Sequence, residues 1–323
     1  MSDRRRAALP RRQIEIGNVS RSASGSAGQG PALSERLRGT PTYALTRRVL
    51  SNPKGVVGAI IVGTLVVAAV AAPWIAPFSP IEQHLRDQLK EPSARFIFGT
   101  DELGRDIFSR VIYGARLSLM AGLVAVLMAG LAGAALGLVA GYNRGWLDSV
   151  AMRVLDTLLA FPAIFLAIGI VALIGPGHAN ATLAVAIIYT PQIARLVRAT
   201  TLAETAKEYV EAARCLGASD ARIVLKAIFP NCAAAMVVQM AIAAPAAVII
   251  EASLAFLGLG TQPPDPSWGA MLQTAQGYLS KSWTYGIFPG SAITLLAVGL
   301  NYLGDSLQDA LDPRRARAAA RMG

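Results

Sequence analysis

Apolar stretches without charge divide the chain into lengths that fit a membrane. Residues 55–81, 117–143 and 282–304 contain no Asp, Glu, Lys or Arg. Each stretch exceeds the roughly 20 residues with which a helix crosses a bilayer. An uncharged stretch at 157–194 is long enough for two crossings, and another at 227–250 gives one more. The pattern predicts an all-α integral membrane protein with six spans, at about 56–77, 117–141, 153–174, 179–197, 232–256 and 286–305.

Polar and turn-forming sequences mark the boundaries of these spans. The Gly-Pro-Gly sequence at 175–177 interrupts the longest uncharged stretch and predicts a helical hairpin. Residues 1–50 are rich in Arg, Ser and Gly without an apolar period, which predicts a disordered basic cytoplasmic arm. The transmembrane domain is then expected at 51–315, followed by a cytoplasmic tail at 316–323.

Composition supports a membrane protein and argues against a nucleic-acid-binding one. Of the 323 residues, 54% are hydrophobic and 15% are charged, and that charged share is well below the roughly 25% of soluble domains. The net charge of +10 comes from basic residues at the edges of apolar stretches, without a basic and aromatic stripe. Cys215 and Cys232 lack metal-ligand spacing and fall on the predicted cytoplasmic side, so two reduced thiols are expected.

The distribution of basic residues predicts the orientation. With the N-terminus inside, 23 of the 30 Lys and Arg residues fall on the cytoplasmic side and 7 on the outer side. Because basic residues accumulate in cytoplasmic loops, both termini are expected in the cytoplasm. The charged segment between the fourth and fifth spans is then expected on the cytoplasmic side.

That charged segment, at 207–231, is the longest helix-patterned polar stretch between two spans. Its pattern predicts two short helices joined at Gly217, because a helix C-terminus favours a left-handed residue there. Ser219 is placed to cap the second helix. Pro230 is expected to end that helix.

The same segment resembles the EAA loop of ABC-importer permeases, a short cytoplasmic helix that docks into a groove of a separate ATPase subunit. The alternative is an ordinary cytoplasmic helical hairpin. The resemblance implies an ATPase-coupling loop made of Glu211, Ala212, Ala213, Gly217, Ala218, Ile223, Pro230 and Asn231.

A second motif lies between the first two spans, in the segment from Phe98 to Leu119. By residue pattern, Thr100 or Asp101 caps an amphipathic helix on the outer membrane surface. The string GTDxxGRDxxSRxxxGxRxSL, however, resembles the peptide and nickel importers among the ABC permeases. It is not assigned as a substrate site, and its polar and glycine positions are Gly99, Thr100, Asp101, Gly104, Arg105, Asp106, Ser109 and Arg110.

The resemblance to this branch covers residues 51–315 and includes PPDPSWGAML at 263–272. It is to the shorter, C-type permease, which pairs with a different partner permease. Ala227, Phe229 and Gln308 stand where other residues are usual. The first two are expected to tune the fit to the ATPase subunit.

The resemblance implies the transmembrane permease subunit of an ATP-driven importer, which is not itself an enzyme. The sequence has no Gly-x-x-x-x-Gly-Lys phosphate loop, so ATP and Mg are expected on two partner ATP-binding subunits and no cofactor in this chain. The other expected partners are a second permease subunit in a heterodimer, an extracytoplasmic solute-binding protein and membrane lipid, but no nucleic acid. The implied substrates are di- or oligopeptides, with nickel chelates or glutathione-like solutes as alternatives. The implied location is a bacterial or archaeal inner membrane.

An ion-coupled secondary transporter acting alone is the alternative function, and a membrane scaffold without transport is a third. A secondary transporter needs ionisable groups along a midplane path. Glu251 is expected near the outer end of the fifth span, within reach of water or an outer-loop partner. Asp156 is expected to pair with Arg153, and His178 to be solvated in a turn. No catalytic residue or metal ligand is assigned.

Overall fold

The computed structural model describes residues 41–311. Every regular secondary-structure element within that range is a helix. The predicted all-α class is confirmed. From Ala44 onward these residues belong to one compact unit. A π-helical segment at Ile223–Ile228 lies between two of the α-helices. The α-helices are α1 Pro41–Ser51, α2 Pro53–Ile75, α3 Ile107–Asn143, α4 Gly145–Leu159, α5 Ala163–Ile174, α6 His178–Thr205, α7 Glu208–Cys215, α8 Asp220–Arg222, α9 Phe229–Phe256, α10 Trp268–Ala275 and α11 Thr284–Leu311.

The predicted basic arm and the predicted tail lie mostly outside the described residues. For 41–50 the prediction of disorder is wrong, because this stretch forms most of α1. Leu45 and Val49 lie one turn apart and are half-buried, so the stretch has an apolar pair on one helix face. The side chain of Asn52 then caps the next helix by accepting from Lys54 N over 3.1 Å.

Four stretches of helix are long and apolar enough to cross a membrane by length and composition: α2, α3, α11 and the continuous helix Asp220–Phe256 that contains α9. They correspond to the first, second, sixth and fifth predicted spans. Counting the bent pair α4 and α5 as one span raises the number to five. Six crossings therefore remain a prediction.

The third predicted span, 153–174, is wrong as a continuous helix. Helices α4 and α5 meet at an angle of 100°. Pro162, with φ −58° and ψ 131°, immediately precedes α5. Proline has no N–H to continue the helix before it and pushes Phe161 out of the α conformation, so the helix breaks at this point.

The fourth predicted span corresponds to α6, which does not meet the length-and-composition criterion for a membrane helix. It packs closely against α3 at Gly133, Gly137 and Gly141, which follow one another at four-residue intervals. A Cβ atom on any of the three would lie within 3 Å of an α6 atom. Small residues at this spacing let two helices approach closely within a membrane. Because protein covers much of its surface, α6 can keep polar residues such as Thr190 buried.

The loops gather at two ends of the helices. At one end Gly177 N donates to Leu259 O over 3.1 Å, which brings the hairpin turn beside the loop after α9. At the other end Arg198 Nη2 donates to Asp148 Oδ2 over 2.6 Å. In keeping with the predicted orientation, we call the end with Gly177 the outer end and the end with Asp148 the inner end.

Candidate coupling loop and outer polar knot

The segment at 206–231, here called the coupling loop, begins as the sequence predicts. Helix α7 ends at Cys215, and Gly217 follows with φ +74°. Ala218 N donates to Ala213 O over 3.1 Å, the six-to-one bond of a Schellman motif. A Cβ atom on Gly217 would meet no atom within 4 Å. Glycine is therefore needed here for its backbone conformation and not for space.

The second half of the coupling loop differs from the prediction at Ser219 and Pro230. Ser219 precedes α8, but its side chain makes no capping hydrogen bond. Pro230 does not end a helix, because the chain stays helical from Asp220 to Phe256. Phe229 N donates to Val224 O, five residues back, so Pro230 falls in the first turn of α9. The missing N–H of Pro230 therefore falls where the backbone bonds change from the π to the α register, and the helix continues through it.

Polar side chains anchor the coupling loop to the helices that flank it. The Tyr209 hydroxyl donates to Glu204 Oε2 over 2.6 Å. Asn231 Nδ2 donates to the Tyr209 hydroxyl over 3.3 Å and to Ala227 O over 2.8 Å. Desolvation and the bond to Glu204 raise the pKa of Tyr209 to about 12. This hydroxyl therefore keeps its proton, and its donor role, at neutral pH.

Apolar side chains of the coupling loop divide into buried anchors and exposed contacts. Val210, Ile223 and Ile228 are fully buried and hold the loop against the helices. By contrast, Leu216 is 87% exposed and Leu225 is 62% exposed. The coupling loop thus has two large apolar side chains on its surface.

The predicted coupling residues do not all lie on the surface. Sequence analysis missed the anchors Val210 and Ile228. Val210 lies between charged residues and could have been found as a large apolar residue in a polar stretch, whereas Ile228 lies in an apolar run where no local signal distinguishes it. Of the predicted residues, the exposed ones are Glu211, Ala212, Gly217, Pro230 and Asn231, the half-buried ones are Ala213 and Ala218, and the buried one is Ile223.

At the outer end, residues 84–110 form a compact structure that we call the outer knot. Two of its glycines allow the chain to fold back on itself. Gly99 has φ +81° and Gly104 has φ +74°. A Cβ atom on Gly99 would collide with the carbonyl oxygen of Lys90, and one on Gly104 with that of His84. All eight predicted motif residues are buried within this knot.

Asp101 is the centre of the outer knot. Its Oδ1 accepts from Leu103 N over 2.9 Å and from Arg105 N over 2.8 Å. Its Oδ2 accepts from Arg105 Nε over 2.6 Å and lies 3.5 Å from Arg110 Nε. One buried carboxylate therefore fixes the backbone of the turn and faces two buried guanidinium groups.

The predicted helix cap at Thr100 or Asp101 is wrong, because Asp106 caps α3 instead. Asp106 Oδ2 accepts from Ser109 N over 2.8 Å and from Ser109 Oγ over 2.6 Å. Burial raises the pKa of Asp106, and the bonds from Ser109 partly offset this effect. The helix that Asp106 caps continues without a break to Asn143, so no separate α-helix lies between α2 and α3 in the described chain.

Further hydrogen bonds join the outer knot to distant parts of the chain. Arg110 Nη1 donates to Pro80 O over 2.7 Å, which ties the loop after α2 to α3. Arg105 Nη2 donates to Glu102 Oε1 over 2.7 Å, and the Tyr285 hydroxyl donates to the other oxygen of Glu102 over 2.7 Å. The knot therefore holds together the outer ends of α2, α3 and α11.

Comparison with known proteins identifies families whose sequences match this chain. Residues 133–317 match the family described as "Binding-protein-dependent transport system inner membrane component". Residues 41–92 match "N-terminal TM domain of oligopeptide transport permease C". The chain belongs to this family of ABC-importer permeases. The resemblance stated from the sequence is confirmed, including its C-type branch.

Individual relatives cover most of the permease. It is 43% identical over 276 residues to the di/tripeptide transport system permease protein DppC of Pseudomonas aeruginosa, with 83% of this chain and 91% of the relative covered. It is 45% identical over 276 residues to the glutathione transport system permease protein GsiD of Escherichia coli O1:K1, with coverage of 85% and 91%. The dipeptide transport system permease protein DppC of Alkalihalophilus pseudofirmus is 42% identical over 276 residues, with coverage of 85% and 90%.

A solved structure supports the fold of the permease. An inward-facing structure of the MetNI methionine ABC transporter aligns with a TM-score of 0.53 and 19% identity, covering 64% of this chain and 98% of that chain. The likeness confirms that the permease has the fold of ABC importer permeases.

The outer knot forms one wall of a polar cleft on the permease. The cleft has a volume of about 380 Å³, and the segment after α9 forms its other wall. Arg105 and Arg110 of the knot line it, facing Gln262, Asp265 and Gln273. Of the eight motif residues, Arg105 and Arg110 therefore both stabilise the knot and border this cleft.

Three ionisable residues of the permease differ from the sequence-based expectations. Glu251 is buried and not in contact with bulk water: it is 1% exposed, and its Oε1 has no hydrogen-bond partner within the described range. Asp156 pairs with Arg195 and not with Arg153. His178 is half-buried, and its Nδ1 lies 3.2 Å from Thr261 Oγ1.

Proposed function

We propose that the permease imports di- or oligopeptides, using ATP hydrolysis on separate subunits to switch between inward-facing and outward-facing states. The observation that carries this proposal is the coupling loop. It exposes Leu216 and the turn at Gly217, and from Asp220 it continues into the same helix as α9. A force applied to the loop is therefore transmitted directly to a membrane-spanning helix.

The proposed partners follow from this mechanism. Two ATP-binding subunits would bind ATP and Mg, with one docked on the coupling loop of this permease and one on a second permease subunit. An extracytoplasmic solute-binding protein would deliver substrate at the outer end. The names of the relatives, which specify di/tripeptide, dipeptide and glutathione transport, support a short peptide as substrate. Nickel chelates are the alternative substrate class.

We further propose a multi-pass location in the inner membrane of a bacterium or archaeon, with six crossings and both termini in the cytoplasm. In this arrangement α4 and α5 together form the third crossing and α6 the fourth. Support comes from the contact between Gly177 and Leu259, which puts the hairpin turn and the loop after α9 at one end.

This topology predicts where single cysteines react with a membrane-impermeant thiol reagent. Ala179→Cys and Asp265→Cys, both at exposed outer-end positions, are expected to react in intact cells when Cys215 is replaced by Ser. In the unsubstituted chain, exposed Cys215 is the inner-end control and should react only after the cells are opened. Buried Cys232 should react slowly in both cases. Reaction of Cys215 in intact cells would contradict the orientation.

A second prediction separates the importer from a secondary transporter. The purified permease alone in liposomes is expected to hydrolyse no ATP and to accumulate no peptide, with or without a proton gradient. Adding the partner permease, both ATP-binding subunits and the solute-binding protein should give uptake that requires ATP. Gradient-driven uptake by the permease alone, abolished by Glu251→Gln, would replace the importer by a secondary transporter.

A further inference from the structure

One charged residue lies beside an apolar groove in the membrane-spanning part of the permease. The groove has a volume of about 550 Å³ and lies between α2, α3, α9 and α11. Apart from Arg116, it is lined by apolar side chains and one glycine. Val70, Met120 and Leu123 of its lining are more than half exposed, so the groove is open along one side.

Arg116 binds backbone oxygens of α2 close to Pro73. Because proline lacks an N–H, Ala69 O in α2 loses its usual helical donor from residue 73. Arg116 Nε donates to this oxygen over 2.5 Å, and Arg116 Nη2 donates to Val70 O over 3.0 Å. Arg116 thus replaces the missing donor at the end of the groove.

The described residues provide no carboxylate to neutralise the charge of Arg116. Within residues 41–311 no carboxylate lies within 4.0 Å of its guanidinium group, whose remaining close contact is the ring of Tyr113, 5.3 Å from Cζ. An arginine in a membrane helix carries a cost that an anionic partner offsets. Arginine binds phosphate through charge-assisted hydrogen bonds, and here two of its donors are already oriented by backbone contacts.

We propose that this groove binds an anionic phospholipid, with the phosphate at Arg116 and an acyl chain along the apolar lining. The position of Arg116 along its helix supports a phospholipid headgroup at this end of the groove. Arg116 lies beside Val70, about one helical turn from Trp74, which is 82% exposed near the end of α2. An exposed tryptophan near the end of a span is typical of the membrane interface. The site is independent of the substrate that the permease carries.

The lipid role of Arg116 can be separated from its structural role by a change at Pro73. In Pro73→Ala the new N–H can bond to one lone pair of Ala69 O, so α2 no longer depends on the guanidinium group. The second lone pair of Ala69 O and the carbonyl of Val70 remain available to Arg116. The test compares Pro73→Ala with Pro73→Ala/Arg116→Gln in the complete transporter, purified in detergent from the same cells. Phospholipids that remain bound are quantified by mass spectrometry, together with the subunit stoichiometry.

The proposal predicts that Arg116→Gln in this background lowers bound anionic phospholipid at least fivefold, with unchanged stoichiometry. Arg153→Gln, which removes an exposed charge at the inner end, is the matched control and should leave the lipid content unchanged. Leu119→Trp, which fills the groove while Arg116 remains, should lower retention as well. Equal retention of anionic phospholipid in all variants would overturn binding in the groove. A loss of phospholipid with Arg116→Gln but not with Leu119→Trp would overturn it as well.

A cross-linking measurement distinguishes lipid from a protein occupant. A photoreactive amino acid at Met120, on the rim of the groove, is expected to label phospholipid in native membranes. A cross-link from this position to the second permease subunit would show that the groove is a subunit interface, and the proposal would then be wrong.

Discussion

Gly217→Val is expected to abolish coupled transport while the permease remains in the membrane. Gly217 has φ +74°, and a β-branched residue in this conformation costs at least about 1–2 kcal/mol. A Cβ atom at this position meets no protein atom within 4 Å beyond its chain neighbours, so the effect falls on the shape of the turn and on whatever docks there. Peptide uptake and peptide-stimulated ATP hydrolysis are measured in the reconstituted transporter, and the membrane content of the permease by immunoblot.

The chain offers a closely matched control at Gly145. This glycine has φ +67°, is exposed at the inner end, and would also meet no atom within 4 Å of a Cβ. Gly145→Val therefore introduces similar backbone strain outside the coupling loop and is expected to leave transport close to normal. Normal transport in Gly217→Val, or equal loss in both variants, would contradict the assignment of this loop as the coupling element.

Asp101→Ala is expected to be the most destabilising single change in the outer knot. The variant loses two backbone hydrogen bonds and leaves the buried guanidinium groups of Arg105 and Arg110 with less compensation. Breaking a buried ion pair by removing one partner typically costs roughly 3–5 kcal/mol. We expect little assembled permease in the membrane and a lower thermal unfolding midpoint of any transporter that can be purified.

Asp106→Asn is the control for this change, because Asp106 is an equally buried carboxylate in the same knot. Burial raises its pKa, so its ionised form is disfavoured in the folded protein and contributes no extra stability as the pH rises. Asparagine caps a helix about as well as aspartate. The expected change is therefore within about 1 kcal/mol. Equal destabilisation by both substitutions would mean that the ion pairs of Asp101 do not hold the knot together.

How far the sequence predicts this fold depends on whether a signal is local. The spans in α2, α3, α9 and α11 were predictable because the absence of charge over more than 20 residues is a property of each stretch alone. Positive φ at Gly217 was predictable for the same reason, since it follows from the helix end that precedes it. The break at Pro162 had a local signal as well, but apolar composition on both sides concealed it.

Other features depend on contacts between distant residues. The polar content of α6 is tolerated because α3 packs against it through three glycines. Pro230 continues a helix because the π-helical segment before it changes the register of the backbone bonds. Glu251 is buried because it lies on the same face of α9 as Val248, Ala252 and Ala255, which pack inside the protein, and its position near the end of an apolar stretch does not reveal this.

The sequence by itself determined the membrane class, four of the spans, the glycine turn of the coupling loop and the permease family. Uncharged stretches, glycine turns and sequence motifs are local features of the chain. They can therefore be recognised without knowing which residues pack against them. Only the tertiary structure decided that Asp101 is the centre of the outer knot instead of a helix cap. It also decided that Arg116 replaces the hydrogen bond that Pro73 removes. These roles depend on which acceptor or donor lies within hydrogen-bond distance once the helices have packed, and a buried polar group is stable only with such a partner.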